Sequence, residues 1–273
     1  TTPLTINIQS NNISCFGAND GSITITASGG TSPYTYTWNP NITTTNSVSN
    51  LGPGNYAITI ADANNCSVNP NVSLSEPSQP LNVVPSQTNL TCFESNDGTA
   101  SVITNGGTAP YSFAWSPNVS SSFSATALAA NNYDLTVTDN NGCTITNTFA
   151  ITQPTPITTG ETHVNVLCNG NTTGSVTITA NGGTPGYTYT WSPNVSAIDV
   201  AMNVGAGTYN VTVADANACT VLQTATVTEP PLLTLSATSI PALCFGTATG
   251  IVTSFANGGV PAYNFAASDG GST

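Results

Sequence analysis

Gly182-Gly183-Thr184-Pro185-Gly186-Tyr187-Thr188-Tyr189-Thr190-Trp191 is the stretch whose reading decides the fold. Glycines and a proline form a turn, and rings then alternate with threonines. Period-two alternation puts Tyr187, Tyr189 and Trp191 on one face of a strand and the threonines on the other. The stripe recurs as Tyr34, Tyr36 and Trp38, and as Tyr111, Phe113 and Trp115. An aromatic stripe on an inward-facing strand reads as core, so Tyr34, Trp38, Tyr111, Trp115, Tyr187 and Trp191 are expected inside; a sugar-stacking platform is the rarer alternative.

Outward from the stripe, a longer period governs the chain. Cys15, Cys92, Cys168 and Cys244 stand 77, 76 and 76 residues apart. Each is followed 19 residues later by a tyrosine, the fourth being Tyr263. A second cysteine comes 51 residues after the first, at Cys66, Cys143 and Cys219. Self-similarity at a fixed period means tandem modules, whose function lies in spacing and surface rather than in one pocket. The expected domains are 1–77, 78–154 and 155–230, with 231–273 as the first half of a fourth. That last piece departs from the pattern: Ala267 stands in the tryptophan position and Ser254 where a larger apolar residue is expected. The sequence therefore reads as a window from a longer array.

Within a unit, period-two alternation recurs. Leu4, Ile6 and Ile8 share a face, as do Ile23, Ile25 and Ala27, then Tyr56, Ile58 and Ile60, then Val68, Val72 and Leu74. Asn19-Asp20-Gly21 and Asn96-Asp97-Gly98 read as hairpin turns. Glu76-Pro77, Gln153-Pro154 and Glu229-Pro230 close the units. Short strands with frequent turns and a tryptophan on the third predict an all-β tandem array of immunoglobulin-like sandwiches. Strand A is expected near 4–9, B near 22–28, C near 33–39, a short C′ and E within 42–51, F near 55–61 and G near 66–75.

Charge excludes several classes. The 273 residues include no Lys or Arg and 12 Asp plus Glu, a net charge of −12. Nucleic acid is a poor partner without cations for phosphates. Anionic membrane surfaces are equally poor, and no apolar run approaches the roughly 20 residues of a membrane span, so no direct membrane insertion is expected of this segment. Lys–Asn cross-links cannot form, and trypsin finds no site. Thr and Ser total 75 residues, giving an uncharged, hydroxyl-rich surface.

The candidate sites are few. Seven cysteines in a polar chain favour an extracellular, oxidising setting. The internal pairing is Cys15–Cys66, Cys92–Cys143 and Cys168–Cys219. A seven-strand unit, however, puts its A–B and F–G turns at opposite ends, about 25 Å apart at ~3.3 Å per residue. Disulfides need Cα atoms within about 7 Å. The staggered pairing, Cys15–Cys143 and Cys92–Cys219, would join successive units. Both schemes leave orphans, Cys244 among them, and free thiols stay open. Asp62, Asp139 and Asp215 in the Asp-x-Asn turns are thin calcium candidates, with one carboxylate each; an Asx turn is the plainer reading. No other cofactor or metal is expected, and no catalytic residue: His163 has no repeated counterpart, so the chain is not read as an enzyme. Asn-x-Ser/Thr triplets, Asn12 and Asn89 among them, would accept glycans in an exported protein.

The stretch from Gly182 to Trp191, followed by Gly207-Thr208-Tyr209-Asn210-Val211-Thr212-Val213-Ala214-Asp215-Ala216-Asn217-Ala218-Cys219, resembles the SprB-type repeat. The resemblance covers three units and the first half of the fourth. It implies long extracellular, cell-surface adhesins of gliding bacteria, exported by the type IX secretion system, and no catalytic site. The expected function is a structural stalk or filament. Its partners would be other copies of itself, in a filament or bundle, and an adhesion target such as a surface polysaccharide. Alternatives are an array of carbohydrate-binding modules or a non-catalytic region appended to a secreted enzyme.

Overall fold

Hydroxyl and apolar side chains alternate because one face of each strand meets water and the other meets a second sheet. The structure, a computed structural model, describes residues 2–246 and 248–267. The first repeat contains β1 Thr5–Asn11, β2 Gly21–Ser28, β3 Thr35–Asn39, β4 Ser47–Leu51, β5 Gly54–Ala61, β6 Ser67–Val68 and β7 Asn71–Leu74. The second contains β8 Asn82–Thr88, β9 Gly98–Asn105, β10 Ser112–Ser116, β11 Ser124–Leu128, β12 Asn131–Thr138 and β13 Thr144–Ile151. The third contains β14 Thr158–Val164, β15 Gly174–Asn181, β16 Thr188–Ser192, β17 Val200–Val204, β18 Gly207–Ala214 and β19 Thr220–Val227. β20 Thr234–Ile240 and β21 Ile251–Asn257 complete the described strands.

Each full repeat is an immunoglobulin-like sandwich. One sheet pairs A with B and B with E, in the orders β1-β2-β4, β8-β9-β11 and β14-β15-β17. The other pairs C with F and F with G, as in β10-β12-β13 and β16-β18-β19. All these pairings are antiparallel. In the first repeat G is split into β6 and β7 at Pro70, which has no N–H to give to the ladder. Each repeat closes its own core around Trp38, Trp115 or Trp191. A tyrosine near the start of F turns its hydroxyl back to the carbonyl four residues earlier: Tyr56 to Gly52 O, Tyr133 to Ala129 O and Tyr209 to Gly205 O. This is the tyrosine corner of immunoglobulin-like domains.

Two expectations are corrected. The described residues contain no C′ strand. The segment before E bonds locally instead: Thr45 O accepts from Trp38 Nε1, and Thr45 N and Oγ1 bond Thr43 Oγ1, while Asn46 already meets Ile25 of strand B. C pairs antiparallel with F, and E doubles back into F through residues 52–53, so C and E run the same way and this irregular segment carries the chain back along the sandwich. Six strands thus leave the A–B and F–G turns at opposite ends, which the sequence reading had assigned to a seventh. Asn19-Asp20-Gly21 is also no tight hairpin: β1 and β2 are joined by residues 12–20, with Cys15 inside the loop.

The paired glycines before C bring strand A close. Gly106 has φ +68°, and a Cβ there would lie 2.0 Å from Pro80 O. Because that neighbour is backbone, Gly106→Ala is expected to cost about 2–4 kcal/mol from left-handed strain plus the clash. A denaturant melt checks this; an unchanged midpoint would refute the close approach.

Two compact units emerge. One holds Thr1–Leu90 with Glu94–Thr152, and the other Thr91–Phe93 with Gln153–Thr273. Within the second, β20 and β21 form a two-stranded sheet whose Leu235, Ile251 and Phe255 are exposed, as is Ser254. Among the described residues no helix is long and apolar enough to cross a membrane.

Candidate functional site

The features that repeat and are not core converge on the F–G turn. In each repeat the aspartate of Asp-x-Asn closes the turn with both carboxylate oxygens. Asp62 Oδ1 accepts from Asn64 N and Cys66 N, each at 2.9 Å, and Oδ2 accepts from Thr31 N at 3.0 Å. Asp139 does the same with Asn141, Cys143 and Thr108, and Asp215 with Asn217, Cys219 and Thr184. One side chain therefore ties F–G to the double-glycine turn and aims the second cysteine. All three aspartates are buried.

The electrostatics follow from those donors. The Thr31 and Thr184 N–H groups, with the Cys and Asn N–H groups of the turns, hold Asp62 and Asp215 below the usual carboxylate range against the cost of burial. Burial pushes Asp139 up most, but N–H groups of Thr108, Cys143, Asn141 and Gly142 outweigh it, and the net direction is again down. Depressed folded-state values mean that stability is present above the unfolded pKa, about 4, and lost as pH falls through the folded ones. Thermal melts should be flat from pH 7 to about 5 and fall below about 4. A triple Asp62→Asn, Asp139→Asn, Asp215→Asn variant should lose much of that slope; an undiminished slope would refute the assignment.

The same geometry bears on calcium. Oxygens that already accept N–H bonds offer little to a cation, which wants six to eight oxygen ligands. No three His, Cys, Asp or Glu side chains gather as a metal site among the described residues. The expected outcome is that EDTA leaves the melting temperature unchanged, and a drop of several degrees would restore the calcium reading.

The cysteines pair from turn to turn. Cys15 bonds Cys143 with Cα atoms 5.8 Å apart, and Cys92 bonds Cys219 at 5.6 Å. Each bond takes an A–B cysteine from one repeat and the F–G cysteine of the next. Cys66 and Cys168 are exposed free thiols, and Cys244 is exposed on the A–B turn of the fourth copy. Beside each bond the turn asparagine donates to the incoming backbone: Asn141 Nδ2 to Ser14 O at 2.9 Å, and Asn217 Nδ2 to Thr91 O at 3.0 Å. Thr91–Phe93 belongs to the second compact unit, held there by these contacts.

The A–B turn is braced for this role. Ser14 Oγ and N donate to Asp20, whose carboxyl is held low chiefly by those bonds. Gly17 N donates to Glu76 Oε2 and Gly170 N to Glu229 Oε2, each at 2.7 Å, so the acid that closes a unit also holds its A–B turn. Asn12, Asn89 and Asn165 went unread as structural residues. Their Oδ1 atoms accept from Ser75, Thr152 and Thr228 N, joining the start of the A–B turn to the end of G. Their 77- and 76-residue spacing was the available signal.

The tryptophans are buried, each with its Nε1 donating to a carbonyl seven residues on. Tyr34, Tyr111 and Tyr187 are half-buried, and their hydroxyls donate to Gly29, Gly106 and Gly182 O. They brace the double-glycine turn rather than filling the centre. His163 is exposed on β14 with Nδ1 2.8 Å from Glu161 Oε1.

The family model described as SprB repeat matches residues 7–43, 84–120 and 160–196, from strand A through strand C of each full unit. No curated protein matches the chain. Among solved structures, Drosophila OTK extracellular domains 3–5 are 14% identical, covering 84% of this chain and 100% of that one, with a TM-score of 0.29. Sidekick-1 immunoglobulin domains 1–5 are 11% identical, covering 83% and 59%, with a TM-score of 0.34. Domains 4–9 of the surface layer protein SbsC are 12% identical, covering 85% and 48%, with a TM-score of 0.25.

Proposed function

We propose that these SprB-type repeats form a load-bearing, non-catalytic stretch of a long extracellular adhesin or surface filament. The observation that carries the reading is the overlap of the two disulfides. Cys92 lies between Cys15 and Cys143 in sequence, and Cys143 lies between Cys92 and Cys219, so the covalent loops interlock. A chain pulled from its ends finds a short path: Cys15 to Cys143, back along the backbone to Cys92, and across to Cys219. That path runs through 51 residues instead of 204. At about 3.6 Å per residue it becomes taut near ~180 Å, against ~730 Å for the reduced chain. Unfolded repeats would still be held within a short covalent leash, a property useful to a fibre under tension and of no use to a pocket.

The same reading places the protein at the cell surface, where disulfides persist. Type IX export and gliding motility come with the SprB likeness. A surface without Lys or Arg leaves little for basic-site proteases, and its partners are copies of itself and a surface polysaccharide. Single-molecule stretching tests the mechanical role. The Cys15–Cys219 span should extend about 180 Å when oxidised and about 730 Å when reduced. Cells whose adhesin has all four cysteines changed to serine should attach at rest and detach under flow. Equal extension in both buffers, or unchanged attachment under flow, would overturn the proposal.

A further inference from the structure

The first repeat presents an F–G end built like the two that hold an A–B turn. Asp62 closes the turn with the same three N–H bonds as Asp139 and Asp215. Asn64 Nδ2 donates to Thr31 Oγ1 at 2.9 Å, as Asn141 does to Thr108 and Asn217 to Thr184. In those two repeats the same amide also donates to the carbonyl preceding the bound cysteine. The floor matches as well. Phe16 sits by Pro80, Leu81 and Gly107, and Phe93 by Pro156, Ile157 and Gly183, while Pro3, Leu4 and Gly30 line a cavity of about 350 Å³ beside Cys66. Cys143 and Cys219 are half-buried by their partners, whereas Cys66 is an exposed thiol.

From this we infer that the Cys66 end of the first repeat is a socket for the A–B turn of a second copy of the repeat, carrying a Cys-Phe pair, and that a disulfide to Cys66 locks it. The cysteine enters opposite Cys66, its preceding carbonyl accepts from Asn64, and the phenylalanine covers Pro3 and Leu4. The lock forms by thiol–disulfide exchange. With the incoming cysteine held as a mixed disulfide with glutathione, the Cys66 thiolate attacks that cysteine's sulfur. The new S–S bond forms, the bond to glutathione breaks, and glutathione leaves as a thiolate that takes up the proton Cys66 gave up. The inference rests on the occupied junctions and does not require the chain to bear load.

The test uses two full-length chains. The acceptor carries Cys168→Ser and Cys244→Ser, leaving Cys66 outside the two disulfides. The donor carries Cys66→Ser and Cys168→Ser and presents Cys244-Phe245, which repeats the Cys15-Phe16 pair. A control donor has Cys244→Ser as well and gains Ser121→Cys, an exposed position away from any A–B turn. With donors loaded with glutathione, the Cys66–Cys244 dimer should form at least tenfold faster than the control dimer. Asn64→Ala in the acceptor and Phe245→Ala in the donor should each slow it several-fold. Both changes lie at exposed positions, so folding is preserved and circular dichroism verifies it. A rate equal to the control, or one indifferent to both variants, would overturn the socket. Neither outcome depends on the stretching result.

Discussion

Replacing Cys15 and Cys143 together by serine should lower the melting temperature of the unit that holds them by roughly 6–20 °C. The bond closes a loop with a sequence separation of 128. Loop-closure entropy for such a span is about 3–5 kcal/mol, and about 2–4 °C accompanies each kcal/mol in a unit of this size. The effect arises mainly in the unfolded chain, where two distant turns regain their freedom. Cys66→Ser is the control: its thiol is exposed and belongs to no disulfide, so the melt should not move. Scanning calorimetry on the oxidised proteins decides it. If the double variant melts with the parent, the junction adds nothing to stability.

Trp115→Ala should cost about 3–5 kcal/mol, the loss expected for emptying a large aromatic site in a packed core. Trp115 is buried in the second repeat's core with its ring centroid 5.5 Å from that of Phe149. Its Nε1 donates to Ser122 O at 2.9 Å, anchoring the segment that returns the chain from C to E. Trp115→Phe separates the two parts. It retains most of the apolar ring and should lose only about 1–2 kcal/mol, largely from the carbonyl left without its donor. Equilibrium urea unfolding reads both variants. Similar costs for the two would mean that the hydrogen bond, and not the packing, dominates.

Much of the fold was legible because its signals are local. Ile23 and Ile25 face inward, and Thr24 faces out opposite Ser47, as alternation required. The missing C′ strand was not legible. Ile42-Thr43-Thr44-Thr45 have strand-like composition, and the hydrogen bonds that Thr45 makes with Trp38 and Thr43 turn them to local use. The Asp-x-Asn turn was readable as an Asx turn, because Asp62 bonds Asn64 two residues on. Its second task was not, since Thr31 lies 31 residues away in sequence. Tyr34, placed in the core by its stripe, sits at the rim because its hydroxyl has a nearer use on Gly29 O.

The amino-acid order by itself determined that this protein is a set of repeated β-sandwiches with a ring-lined interior. Side-chain alternation and turn chemistry act over a few residues and need no distant partner. Which cysteine meets which was decided only in three dimensions. Cys15 and Cys66 are nearer in sequence, but the irregular return between C and E sends their turns to opposite ends, and the facing sulfur comes from the next repeat.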